Sequence, residues 1–269
     1  MAFVLDAAEP SLSQTWEGTR LHEENFFSRA LNKEHSYTVL LPEGYRKTTP
    51  YPVVYFLHGR GRNHRSLIEN EHALMKLAKM PFILVFPQGE DGFYIDSPVN
   101  ERSLYRKCLE ETMADAEKKY AISQDPALCG IAGWSMGGYG ALCFAESESD
   151  KFSALATVIA LSDYPKEPKA FPEGQQYEVV TSVFGNKQED WFHCNPIYSV
   201  GSLKHFDILV VCGKSAFDYT MNRNFIAALK KEGIIPEVID LEGGHQFRVV
   251  LAALDVIQPF FQKHFERKK

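Results

Sequence analysis

Ala127-Leu128-Cys129-Gly130-Ile131-Ala132-Gly133-Trp134-Ser135-Met136-Gly137-Gly138 decides the architecture of this chain. Its first half is a short apolar run of the kind that forms a buried strand, and Met136 to about Glu146 continues with helical spacing and small residues. Between them stands the pentapeptide Gly133-Trp134-Ser135-Met136-Gly137. A strand that turns directly into a helix forces the central serine into a strained backbone conformation, and the flanking glycines remove side chains that would clash. The hydroxyl is then held above the sheet at a helix amino terminus, whose dipole favours developing negative charge. The competing reading is a Gly/Ser turn that only packs a helix onto a strand.

Outward from this stretch, β-branched runs alternate with helical patterns, the rhythm of a mostly parallel sheet covered on both faces. Strands are expected at Tyr37–Leu41, Pro52–Leu57, Phe82–Phe86, Ala127–Ala132, Ala154–Leu161, Ile208–Cys212 and Glu237–Leu241. Helices are expected at Arg65–Lys79, Glu101–Tyr120, Met136 to about Glu146, Met221–Lys231 and Gln246–His264. Residues 164–202 hold Pro165, Pro168, Pro172, Gly174, Gly185 and Pro196, and read as an irregular cap-like insertion. One sheet threads the whole chain, so residues 1–269 are expected to form a single α/β domain.

A serine hydroxyl is a weak nucleophile and needs a base. His245 follows the last expected strand in Leu241-Glu242-Gly243-Gly244-His245, where paired glycines let the loop bend back over the strand ends. His58 lies in the turn His58-Gly59-Arg60-Gly61 after an earlier strand and suits a role in holding that loop. The base in turn needs a carboxylate to fix its tautomer. Asp218 follows the penultimate strand, which gives the chain order Ser135, Asp218, His245 usual for this architecture, and is the expected acid; Asp163, after the strand before it, is the competitor. Acyl transfer also needs donors for the oxyanion. The amide of Met136 is one candidate and that of Arg60 the other. Trp134 adjoins the nucleophile and is the aromatic residue expected at the substrate pocket.

Composition bounds the rest. With 269 residues, 45% hydrophobic and 24% charged, the chain can enclose a large core without disulfides or a structural metal. A formal charge of −6, from 29 basic and 35 acidic residues, disfavours nucleic-acid binding. No apolar run is long enough to span a bilayer, and Met1-Ala2-Phe3-Val4-Leu5-Asp6 lacks the basic start of a secretory signal. Five cysteines without CxxC spacing favour a reducing, cytoplasmic setting. No histidine spacing suggests a metal site.

Tyr51–Gly61, Gly89–Ser97, Ile131–Leu142 and Glu242–Phe247 together resemble the esterase D-type branch of the α/β-hydrolases. That branch includes tributyrin, feruloyl and acetylxylan esterases, S-formylglutathione hydrolases and mycolyltransferases. The similarity spans roughly residues 24 to 264. It implies the α/β-hydrolase fold and a serine carboxylesterase without cofactor, acting on short or aromatic acyl esters such as those of acetylated or feruloylated carbohydrate. Acyl transfer through the same acyl-enzyme, or a silent binding protein on this fold, are the alternatives. The chain departs from the branch at three places. Ala216 stands where an ungapped match expects the acid, Gln246-Phe247 replaces a common Ser-Trp, and His58-Gly59-Arg60-Gly61 differs from the S-formylglutathione hydrolase pattern.

Overall fold

The computed structural model describes residues 16–268, so the reading of Met1 to Asp6 lies outside the described residues. β1 (Leu21–Ser28) and β2 (Lys33–Leu40) pair antiparallel, from Leu21↔Leu40 to Ser28↔Lys33. The sequence reading places no strand at 21–28, because Glu23, Glu24 and Asn25 interrupt the apolar pattern. Exposure alternates along β1, as expected of an edge strand with one wet face.

Six further strands are nearly all apolar: β3 (Val53–Leu57), β4 (Ile83–Pro87), β5 (Cys129–Trp134), β6 (Ala154–Val158), β7 (Asp207–Gly213) and β8 (Glu237–Leu241). The sheet order is β1-β2-β4-β3-β5-β6-β7-β8. β2 meets β4 antiparallel, and every pairing from β4 to β8 is parallel.

The helices are α1 (Glu71–Leu77), α2 (Tyr105–Lys119), α3 (Met136–Ser147), α4 (Thr181–Phe184), α5 (Gln188–Cys194), α6 (Tyr219–Lys231) and α7 (Phe247–Arg267). The strand period of two sorts the core. Val53, Tyr55 and Leu57 point to the face covered by α2, α3 and α6. Val54 and Phe56 point to the face covered by α1 and α7. Each fully buried Val, Leu or Phe contributes about 1.5–3 kcal/mol, so the two-sided core holds the sheet between both helix layers. This is an α/β-hydrolase fold, as the sequence leads one to expect.

Two elements are shorter than expected. The helix read at Arg65–Lys79 forms only from Glu71 to Leu77. Asn63 accepts from the Arg65 amide at 2.8 Å, and Asn70 caps α1 by accepting from the Ala73 amide at 3.0 Å, so side-chain bonds hold the preceding residues in turns. The strand read to Leu161 stops at Val158, where Ile159 takes a positive φ of 41° and the chain swings away over the site. Between β6 and β7 the chain makes only short helical pieces, including α4 and α5, before rejoining the sheet.

Candidate active site

Ser135 sits between β5 and α3 with φ 56° and ψ −121°, a region that non-glycine residues occupy only under constraint. The constraint is visible around it. The Ser135 amide donates to the carbonyl of Val158 on β6 at 3.0 Å. A β-carbon on Gly133 would lie 2.2 Å from the Gly137 carbonyl oxygen, and one on Gly137 would lie 2.2 Å from that of Leu57. Both glycines are therefore needed for the helix to start this close to the sheet.

The Ser135 hydroxyl lies 2.8 Å from His245 Nε2, and His245 Nδ1 lies 2.5 Å from Asp218 Oδ1. The carboxylate can only accept, so Nδ1 carries the proton and Nε2 is free to accept from the serine. Asp218 is fully buried at the start of α6. It holds the N-cap position, yet its side chain accepts no helix amide and turns to the imidazole instead.

Asn222, one turn along α6, donates from Nδ2 to Asp218 Oδ2 at 2.8 Å and to the Ala160 carbonyl at 2.9 Å. It ties the acid to the segment after β6. The sequence reading missed Asn222. Its signal was an Asp-x-x-x-Asn spacing at the head of a helix, which places both side chains on one face. It also missed Phe217, whose ring packs 4.4 Å from that of His245.

The structure does not bring Asp163 to His245. Asp163 is also fully buried, but its oxygens accept from Asn195 at 2.9 Å, Lys166 at 2.9 Å and Asn224 at 2.8 Å. It holds the segment after β6 to α5 and α6.

The backbone N–H groups of Arg60 and Met136 donate to no protein acceptor among the described residues. His58 anchors the turn that carries Arg60. Its Nδ1 faces the Gly59 carbonyl at 2.9 Å, its Nε2 accepts from the Gly89 amide at 2.9 Å, and its own amide donates to the Tyr94 hydroxyl at 3.0 Å. Burial pushes the His58 imidazole down to about 4, so it stays neutral at ordinary pH. Arg60, Trp134, Ser135 and His245 line one cavity of about 170 Å³, together with Ile159 and Phe247. Trp134 is buried there, its indole packed edge-on to Phe56 and tilted against Phe247.

The segment between β6 and β7 reaches the same place. Tyr177 accepts from Arg60 Nη1 at 3.3 Å and stacks on Phe217 at 5.1 Å. Two loops of the site are thus tied to residues from the excursion between β6 and β7.

A second Ser-His-Asp series occurs at the opposite, amino-terminal end of the parallel strands β6 and β7. His264 Nε2 lies 2.8 Å from Ser153 Oγ, and Nδ1 lies 2.6 Å from Asp207 Oδ2. Ser153 precedes β6, its hydroxyl donates to the Pro126 carbonyl at 2.9 Å, and its amide donates to Cys129. Its backbone is unstrained, and it lines neither of the two cavities at the Ser135 site. Here the same hydrogen-bond pattern fastens α7 to the sheet.

Among the described residues no His, Cys, Asp and Glu side chains cluster as a metal site would require, and no helix is long and apolar enough to cross a membrane.

Residues 28–261 match the family model described as "Putative esterase". An acetyl esterase of Caldicellulosiruptor saccharolyticus is 24% identical over 250 residues, covering 83% of this chain and 91% of that protein. Among solved structures, a ferulic acid esterase is 25% identical with a TM-score of 0.77, covering 91% of this chain and 98% of that one. An S-formylglutathione hydrolase from Agrobacterium tumefaciens is 19% identical with a TM-score of 0.74, covering 92% of this chain and 95% of that one, a likeness of fold.

Proposed function

The chain belongs to this esterase family and is a carboxylic ester hydrolase, and from that premise we propose that it is a serine esterase working through an acyl-enzyme on Ser135. The observation that carries the proposal is the hydrogen-bonded series Ser135–His245–Asp218 at a strained strand-to-helix turn. Ser135 Oγ attacks the ester carbonyl carbon while His245 Nε2 takes its proton. Asp218 keeps the imidazole in the accepting tautomer and stabilises its charged form. The amides of Arg60 and Met136 receive the oxyanion. Collapse breaks the ester bond, and His245 returns the proton to the departing alcohol. Water then adds to the acyl-enzyme with the same base, releasing the acid and restoring the serine.

A cavity of about 170 Å³ beside Ser135 supports a short acyl group, in keeping with the acetyl esterase relative. A second cavity of about 510 Å³ adjoins it and offers Asn100 and Ser103, polar groups suited to an alcohol half rich in hydroxyls, such as a carbohydrate. Residues 164–202, whose Tyr177 touches both Arg60 and Phe217, act in this reading as a cap on the pocket. Met136, Arg60 and Trp134 take the oxyanion and pocket roles without any cofactor.

The test is a series of 4-nitrophenyl esters from acetyl to decanoyl, run beside fluorophosphonate labelling. Turnover that peaks at short acyl chains, with a label on Ser135, supports the proposal. No turnover of any ester by protein that is folded and unlabelled would defeat it.

A further inference from the structure

Three arginines, Arg60, Arg62 and Arg65, lie on the loop after β3, and the reaction described above uses only the backbone of the first. Their side chains have different fates. Arg65 pairs with Glu17, Glu23 and Glu69. Arg60 donates to the Tyr177 hydroxyl and faces Asp91 at 3.9 Å. Arg62 has no carboxylate within 4.0 Å among the described residues. Instead its guanidinium lies over the Phe247 ring, 4.9 Å from the centroid. An aromatic face steadies a guanidinium while leaving its N–H fork free.

Its position gives that freedom a use. Arg62 lines both the catalytic cavity and the adjoining one of about 510 Å³. Its amide donates to the Gly59 carbonyl at 3.1 Å, so its backbone is fixed to the turn that carries the Arg60 amide. The acids of the second cavity are already engaged. Glu90 pairs with Lys33 and accepts from Tyr105, and Asp91 faces the Arg60 guanidinium at 3.9 Å and accepts from the Gly61 amide at 3.0 Å. The uncompensated charge at the junction is therefore positive.

We propose that Arg62 is an anion-binding subsite of the catalytic pocket, which selects esters bearing a carboxylate close to the scissile bond. A planar carboxylate matches the guanidinium fork in two parallel hydrogen bonds, and a neutral ester gains neither. The inference rests on the esterase reading, and its test separates the two.

Two pairs of esters place the charge on different halves. Mono-4-nitrophenyl glutarate against its methyl ester puts it on the acyl half; 4-acetoxybenzoate against methyl 4-acetoxybenzoate puts it on the alcohol half. All rates are taken above the Ser135→Ala background. In one pair the charged ester is expected to have a kcat/KM about tenfold or more above its neutral partner, and raising the salt should shrink that gap because Arg62 is exposed. Arg62→Gln should lower kcat/KM for the charged ester more than for the neutral one and so close the gap, with Arg62→Lys retaining part of it. No preference for charge in either pair would overturn the inference, as would equal losses on charged and neutral esters in Arg62→Gln. Failure to hydrolyse any of the four above background would instead overturn the esterase reading itself.

Discussion

Gly59 packs so tightly under Trp134 that a β-carbon on Gly59 would lie 2.6 Å from the indole Nε1. The same β-carbon would stand 3.3 Å from Cβ of Ser135. The residue before Arg60 is thereby pressed against Trp134 and the proposed nucleophile Ser135, and the spacing between the two amides proposed to receive the oxyanion depends on it.

Gly59→Ala should therefore lower kcat by roughly tenfold or more, since small displacements of a donor are costly to the transition state. Trp134→Phe removes the nitrogen the new methyl would strike. The loss from Gly59→Ala should accordingly be smaller in a Trp134→Phe background, measured as a double-mutant cycle on kcat. Additive losses would mean that the contact does not set the turn.

Ser135→Ala should abolish fluorophosphonate labelling and reduce ester turnover about a thousandfold or more. The Ser153–His264–Asp207 chain makes this test sharper. Ser153 has the same kind of partners at similar distances and is as buried as Ser135, but its hydroxyl is engaged by the Pro126 carbonyl. Mass spectrometry of the labelled wild type should find the adduct on Ser135 alone. An adduct on Ser153 would contradict the view that the strained turn, rather than the hydrogen-bond pattern, confers reactivity.

Asp218→Asn should keep the fold and lose turnover by about a thousandfold or more, because the amide favours the wrong tautomer of His245. Asp163→Asn should do the opposite. It weakens the bonds to Lys166, Asn195 and Asn224, and should cost about 1–3 kcal/mol of stability with kcat close to wild type. Urea unfolding and steady-state rates on both variants decide the matter. A catalytic loss confined to Asp163→Asn would reverse the assignment.

His58 predicts an acid-dependent stability. Burial lowers its imidazole from the ordinary value of 6.5 to about 4. Below pH 6.5 the unfolded chain takes up a proton that the folded chain refuses until about pH 4. Its contribution is thus present above pH 6.5 and is lost as the pH falls towards 4, by up to about 3 kcal/mol. In His58→Asn that part of the slope should disappear, so the stability gap between wild type and variant narrows as the pH falls through this window. Parallel curves of unfolding free energy against pH would show that the folded and unfolded chains take up the His58 proton alike, so that burial does not lower it.

The sequence by itself determined the layers and the turn. Apolar runs such as Val53–Leu57 can only be buried on both faces, and the glycines around Ser135 permit a strand to become a helix at once. These signals are local, carried by residues adjacent in the chain. The same locality hid β1, whose acidic residues are tolerable because it is an edge strand with one wet face, held to the sheet by its backbone pairing with β2.

What tertiary structure alone decided is which distant groups meet. Asp163 and Asp218 both follow a strand and both are buried, and chain order favours Asp218 without showing which of them reaches His245. The parallel register of β6, β7 and β8 sets the loops side by side, and the glycine-bearing loop after β8 lies against the Gly213–Ser215 turn through the bond from the Ser215 amide to the Gly243 carbonyl. That contact brings His245 over the head of α6, where Asp218 stands, while Asn195 and Asn224 draw Asp163 the other way. Arg60, Arg62 and Arg65 likewise read alike in the sequence. Packing added the distant Glu17 and Glu23 to the Glu69 that stands four residues from Arg65, gave Arg60 its tyrosine, and left Arg62 at the mouth of the pocket, because most of what compensates a side chain's charge is brought near it by the fold.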